Sequence, residues 1–292
     1  MSKKLDKVFK NAKRLQIDDN SKFVIMSDCH RGDGNSYDNF IKNEHIFESA
    51  MLYYYHNDFT YIELGDGDEM WEVKDYNNIV DGHLDVFKIL KKFNDSDKLI
   101  MLYGNHDIVK KNPEVINQHF NEYYNDVKKT KEQLFNNLIV NEAIVMNYQN
   151  FNIFLLHGHQ IDMLNSKLWF LSRFLVRYLW KYLEGIGIKD PTSAAKNYLV
   201  TSKIEKKLKK WSMAKNIMII AGHTHRPIYP KVGQSLYFND GSCIHPNGIT
   251  CIEIEKGKIT LVKWVFSLKE ENIISVGRKV IAGSDCITEF FK

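Results

Sequence analysis

The sequence predicts an α/β fold, on two observations. Short β-rich runs alternate with longer helical patterns, and five of the runs end directly in a cluster of Asp, Asn or His residues. In sheets of this kind ligands gather outside the carboxyl ends of the strands. Five such ends on one edge would therefore bring the clusters to a single place.

The elements follow in order. A strand at Phe23–Ser27 leads into Asp28-Cys29-His30, and a helical pattern covers Asp38–Tyr55. The strand Tyr61–Leu64 ends in Gly65-Asp66. A helix is expected over Ile79–Phe93, and the strand Leu99–Tyr103 opens into Gly104-Asn105-His106-Asp107. Another helix is expected over Pro113–Lys128. Strands Ala143–Asn147 and Phe151–Leu156 flank Tyr148-Gln149-Asn150, which reads as a hairpin turn, and the second runs into His157-Gly158-His159. Helical patterns cover Asp162–Glu184 and Thr192–Lys210, with Thr192 as a cap behind Asp190-Pro191. The strand Ile217–Ala221 ends in Gly222-His223-Thr224-His225. Leu236–Phe238, Ile249–Glu253 and Ile259–Phe266 complete the strands, the last two joined by a turn at Glu255-Lys256-Gly257-Lys258.

The bulk numbers exclude some functions. A net charge of +4, from 40 Lys and Arg against 36 Asp and Glu, is too small to suggest bulk nucleic-acid binding. The four cysteines fall in no C-x-x-C or zinc-finger spacing, and scattered thiols fit a reducing compartment. The N-terminus lacks the apolar stretch of a signal peptide. The most apolar helix-like segment, Leu168 to Leu183, is broken by Arg173, Arg177 and Lys181, which argues against a membrane span. The expected location is the cytoplasm, with a membrane-peripheral position as a second expectation.

Asp, His and Asn offer oxygen and imidazole nitrogen ligands that suit Mn, Fe, Co or Zn. On an extended backbone Asp28 and His30 share one face and Cys29 takes the other, and the same spacing aligns His223 with His225. Glycines at 65, 104, 158 and 222 allow close backbone approach. Each piece alone has an ordinary explanation: Gly65-Asp66 is a turn, and His157-Gly-His a loop with two satisfied imidazoles. Together, one shared metal centre is more economical than five separate accounts.

In this order the motifs Asp-x-His, Gly-Asp, Gly-Asn-His-Asp, His-Gly and Gly-His-x-His, from Asp28 to His225, resemble the calcineurin-like metallophosphoesterase superfamily. The resemblance implies a four-layer αββα sandwich and a single domain over residues 1–292, with a helical insertion, or cap, at about 161–215. It places Asp28, His30, Asp66 and His225 on one metal, and Asp66, Asn105, His157 and His223 on the other. Asp66 would bridge the two. The implied ions are two divalent transition metals, Mn foremost, with Fe, Zn or Co as alternatives. The implied activity is hydrolysis of a phosphoester or pyrophosphate by a hydroxide between the metals. His106 would act as proton donor or transition-state stabiliser, and Glu69 would orient it. The layout of Gly65-Asp-x-x-Glu, Gly222-His-Thr-His-Arg-Pro and the insertion is nearest to the UDP-2,3-diacylglucosamine pyrophosphohydrolase branch. It differs at His106, where that branch usually carries arginine.

On the substrate side, Arg31 and Arg226 follow ligands directly and are candidate contacts to phosphate. Arg173 and Arg177 form, with Lys181, a basic stripe of i, i+4 spacing on the insertion. They read as a cap contact to an anionic substrate, as an interfacial contact with anionic membrane, or as a solvated edge. Asn239 and His245 lie near the expected site edge. The expected partner is a small phosphorylated substrate, nucleotide- or lipid-linked, with no stable nucleic-acid complex. The alternatives are a non-catalytic scaffold of the same fold for protein binding, and a protein phosphatase.

Overall fold

Apolar runs without alternation form strands buried on both faces, and two packed sheets place them so. The structure, a computed structural model, describes residues 2–162, 198–268 and 274–292. One sheet has seven strands in the order β14 (Ile274–Cys286), β13 (Lys258–Leu268), β12 (Ile249–Glu255), β2 (Lys22–Met26), β3 (Thr60–Leu64), β4 (Leu99–Leu102) and β7 (Val140–Asn141). The other has five: β1 (Lys13–Ile17), β8 (Ala143–Tyr148), β9 (Phe151–Leu156), β10 (Met218–Ala221) and β11 (Tyr237–Asn239). Strands β2, β3 and β4 run parallel, as do β9, β10 and β11.

The period of two sorts the side chains into layers. Phe23, Ile25, Ile62 and Leu64 pack with Ile144, Met146, Leu155 and Ile220 between the sheets. Val24, Met26 and Tyr61 point the other way, into a core with Phe47, Tyr54, Phe87 and Phe93. Those aromatics belong to α2 (Glu44–His56) and α4 (Leu84–Asp95). On the far side, α1 (Lys3–Asn11) and α6 (Tyr198–Lys215) bury Leu5, Val8, Ile204, Leu208 and Trp211 against Val145, Phe154 and Ile219 of the five-stranded sheet. The expected αββα layering is the observed one. Each such side chain, fully buried, stabilises the fold by roughly 1.5–3 kcal/mol.

Several elements differ from expectation. The helix over Asp38–Tyr55 is a 3-10 turn at Phe40–Asn43 followed by α2. The helix over Pro113–Lys128 stops early: α5 (Pro113–His119) gives way to a hairpin of β5 (Glu122–Asn125) and β6 (Thr130–Gln133). There the Asn125 side chain accepts from the backbone N–H groups of Val127 and Lys128 at 3.0 and 3.1 Å, a local turn that competes with helix. Strands β1 and β14 are additions, legible only through pairing, since their residues are mostly exposed. The segment expected as helix over Asp162–Glu184, with Arg173 and Arg177, lies outside the described residues. So does the Thr192 cap; of the helix expected over Thr192–Lys210, the described part from Tyr198 is helical, in α6, which runs on to Lys215. Among the described residues, no helix is long and apolar enough to cross a membrane.

The helix over Ile79–Phe93 is two, α3 (Asn77–Gly82) and α4, broken at His83. The His83 imidazole turns inward, Nε2 2.7 Å from Asp38 and Nδ1 2.7 Å from Glu44. Burial opposes its charge, but the two carboxylates push its pKa up to about 9. A folded pKa above the unfolded value of about 6.5 stabilises the protein fully below that value and ceases to do so as pH rises through 9. His83→Gln is therefore expected to be less stable than wild type at pH 6 by about 2–3 kcal/mol, with the gap closing by pH 10. Urea denaturation across that range reads it, and a gap independent of pH would contradict it.

Candidate metal centre

The two sheets pack with the carboxyl ends of β2, β3, β4, β9 and β10 at one edge, so the five polar clusters meet. Past β2 and β3 the parallel ladder continues: Asp28 N–H donates to Gly65 O at 3.0 Å and His30 N–H to Asp66 O at 2.9 Å. Two carboxylates then tie separate strand ends together. Asp28 Oδ2 accepts from the His223 backbone N–H across the sheets at 2.8 Å, and Asp66 Oδ1 accepts from that of His106 at 2.7 Å. Such closeness requires glycine. A Cβ on Gly104 would stand 2.1 Å from Asp66 Oδ1, and one on Gly222 would stand 2.2 Å from Ser27 Oγ.

The backbone at the ligands corrects one expectation. Asp28, His30, Asp66, His223 and His225 are not extended; their φ angles are +53°, +50°, +51°, +67° and +53°. Left-handed conformations of non-glycine residues cost on the order of 1–3 kcal/mol each and persist where surrounding contacts over-determine them. Here the ladder bonds and carboxylate ties supply those contacts. Cys29 still turns away from the site, into the core beneath α2.

Three sets of side chains come within ligand distance of one another: His30 with Glu69 and His106 is one, and the other two are Asp28 with His30 and His225, and Asp66 with His157 and His223. Asp66 Oδ2 links the latter two, 3.0 Å from His157 Nε2 and 3.9 Å from His30 Nε2. The resemblance put Asp66 on both metals and Asn105 on the second; the structure brings the six Asp and His side chains together in the two sets just named. The fit to cations rests on four atoms. Asp28 Oδ1, His30 Nε2, Asn105 Oδ1 and His157 Nε2 are buried and complete no hydrogen bond, although Asp28 Oδ1 lies 2.9 Å from His225 Nε2. These approaches lie off the line that N–H···O bonding needs, and buried polar atoms without partners are costly. A shared cation resolves that. His157 Nδ1 faces the Leu64 carbonyl at 3.0 Å and His30 Nδ1 faces Glu69 Oε2 at 2.8 Å. Each ring thereby keeps Nε2 for a metal, as ligating histidines do.

Glu69 also holds His106: its Oε1 is 2.8 Å from His106 Nδ1 and accepts from the Trp71 backbone N–H at 3.3 Å. The Trp71 indole stacks on the His106 ring, with centroids 4.1 Å apart and planes at 22°. Burial disfavours every charge here, yet Asp66 and Asp28 push His157 up to about 9. Against burial, Glu69 and Asp66 likewise raise His106. Burial opposes the Asp66 charge too, but His157 and His106 hold its carboxyl below the usual range. Cation binding must displace the His157 proton. Apparent affinity for Mn²⁺ is therefore expected to rise by about tenfold per pH unit for each proton displaced, levelling off above pH 9. Calorimetry in buffers of different protonation enthalpy counts those protons; uptake without release would contradict the assignment.

One substrate assignment is corrected. Arg31 is fully buried and spent: Nε meets Asp68 at 2.6 Å, while Nη1 and Nη2 fork onto Glu63 at 2.8 and 2.9 Å. No nitrogen remains for phosphate. Arg226 is half exposed, with Nη2 on Glu205 of α6 at 2.9 Å. Arg173 and Arg177 are outside the described residues. Asn239 and His245 serve the ligand loop, the first donating to Gly222 O at 2.8 Å and the second with Nε2 2.6 Å from His225 O. Sequence reasoning gave no role to Asp107, whose carboxylate accepts from the backbone N–H groups of Gly104, Asp66 and Gly67 at 2.7, 3.2 and 3.2 Å. Its place in Gly-Asn-His-Asp was the available signal. Trp71 and Asp162, whose Oδ2 is 3.4 Å from His223 Nε2, carried none.

No curated protein matches the chain significantly. Among solved structures the chain aligns with a conserved uncharacterized protein of Streptococcus pneumoniae TIGR4 described as a predicted phosphoesterase, at 14% identity, over 89% of this chain and 97% of that one, with a TM-score of 0.36. It aligns with Vps29 of Entamoeba histolytica complexed with zinc at 12% identity, over 89% and 98%, with a TM-score of 0.38. It aligns with the cold-active protein-tyrosine phosphatase of a psychrophilic Shewanella species at 13% identity, over 92% and 83%, with a TM-score of 0.40. Likenesses this distant carry no argument. The family model does: the calcineurin-like phosphoesterase superfamily domain matches residues 22–256, a span that holds every candidate ligand. The chain belongs to the calcineurin-like phosphoesterase superfamily.

Proposed function

We propose that the protein hydrolyses a phosphoester or pyrophosphate bond with two divalent transition-metal ions, Mn foremost and Fe, Zn or Co as alternatives. The observation that supports this best is the pair of ligand groups joined at Asp66, with unpartnered buried atoms in both. When bound, such ions polarise phosphoryl oxygens and make water acidic enough to attack at neutral pH. The chain supplies the rest. Asp28, His30 and His225 would hold one ion, Asn105, His157 and His223 the other, and Asp66 both. Glu69 takes up His106 Nδ1 and Trp71 fixes the ring plane, which leaves Nε2 as the position from which a proton reaches the departing oxygen. Among the described residues Arg226, half exposed beside His225, is the candidate contact for a substrate phosphate. By motif layout the substrate is nucleotide- or lipid-linked.

The test combines metal analysis with a substrate panel. Two ions per chain, and turnover of bis-p-nitrophenyl phosphate, phosphomonoesters or nucleotide pyrophosphates with Mn²⁺, are expected. Absence of both metal and turnover would favour a non-catalytic scaffold.

A further inference from the structure

The outer faces of α1 and α6 carry a charge asymmetry that the metal centre does not use. The two helices hold ten lysines and two acids, so the rest of the chain has 30 basic against 34 acidic residues. Both acids are engaged: Asp6 accepts from Trp211 Nε1 and pairs with Lys215, each at 3.1 Å, and Glu205 is buried against Arg226. Both helices bury their apolar sides on the same face of the five-stranded sheet, so their other sides look outward together. There Lys7 and Lys10 of α1 are exposed with Lys203, Lys206, Lys207 and Lys210 of α6. Among the described residues these six meet no carboxylate at ion-pair distance. The helix on the opposite outer layer behaves differently: α4 pairs Lys88 with Asp85 and Lys91 with Asp95.

We propose that this face is a docking surface for an anionic lipid membrane. Unpaired lysines on a solvent-facing helical layer gain attraction from a negative bilayer without needing a shaped partner. The same helix exposes Leu199 and Met213, at 69% and 48%, as apolar groups able to enter the headgroup region. Nucleic acid is the poorer match. Neither helix carries an arginine to fork onto bases or phosphates, and Tyr198 is the one exposed aromatic on them for stacking. Glu205 of α6 also reaches Thr224 at 3.4 Å, between the ligands His223 and His225. Docking would therefore set the metal centre close to the bilayer. The inference rests on the helix charges and stands apart from the hydrolase reading.

The test is sedimentation of the full chain with vesicles of phosphatidylcholine alone or mixed with phosphatidylglycerol. Binding is expected only to the mixed vesicles, falling steeply as salt rises. The triple variant Lys206→Gln, Lys207→Gln, Lys210→Gln is expected to lose about a hundredfold in vesicle partitioning, roughly fivefold per lysine, with an unchanged circular dichroism spectrum and metal content. Equal binding to both vesicles, salt-insensitive binding, or an unaffected variant would overturn the proposal. Retention on duplex DNA without vesicle binding would overturn it as well and assign the face to nucleic acid.

Discussion

Replacing Asp66 by alanine is expected to empty both halves of the metal centre at once and to lower turnover by about 10³-fold or more. That exceeds the roughly 10–100-fold that loss of an outer-shell partner costs. The reason is position. Asp66 Oδ2 lies between His157 and His30, which belong to different ligand groups, at 3.0 and 3.9 Å, and it approaches His157 more closely than Asp28 Oδ1 does, at 3.9 Å. Asp28→Ala removes a ligand from one group, so it should reduce metal content towards one ion before affecting the second. Asp66 Oδ1 also holds the His106 backbone N–H, so alanine could act by releasing that loop. Asp66→Asn separates the causes, because its amide oxygen still accepts that bond but carries no charge. Loss of both ions in the asparagine variant would locate the effect in charge. Two ions retained in Asp66→Ala, by elemental analysis of purified protein, would remove Asp66 from the shared position.

The convergence of the five clusters was legible because it depends on two local signals, an apolar run and the polar residues that follow it. Strand β9 was read to the residue, and the turns after Tyr148 and Glu255 were read from their residues. What stayed hidden depends on distant partners. Arg31 reads like an exposed cation after a ligand, and only the fold brings Glu63 and Asp68 around it. The left-handed backbone at Asp28 and His30 is imposed by the bonds to Gly65 and Asp66 and the tie to His223. Spacing alone allowed an extended segment with the same facing side chains. Edge strand β14 has few buried residues to mark it, and it exists through its long pairing with β13. His83 interrupts a helical pattern whose apolar periodicity continues across it, because two acids on other segments draw the ring inward.

His106→Ala is expected to reduce turnover by about 10²–10⁴-fold, the usual range for a general acid, while both ions remain bound. His106 takes no place among the unpartnered ligand atoms; its Nδ1 is on Glu69 and its ring lies against Trp71. Glu69→Gln should behave differently, because the same carboxylate also orients His30 through Oε2. It is expected to weaken metal binding and turnover together, by about 10–100-fold. Trp71→Leu should lower turnover without loss of metal, since the indole touches the acid and holds no ligand. The pH profile gives an independent reading. Glu69 and Asp66 raise the pKa of His106 against the effect of burial, which favours the protonated ring that a general acid needs. A general acid loses rate as pH climbs past its pKa. The wild-type profile should therefore fall on the alkaline side, and His106→Gln, slow throughout, should lack that limb. An alkaline limb unchanged in His106→Gln would assign it to another group and leave His106 with a structural part only. Loss of metal in His106→Ala would instead place this histidine among the ligands, contrary to its geometry against Glu69 and Trp71.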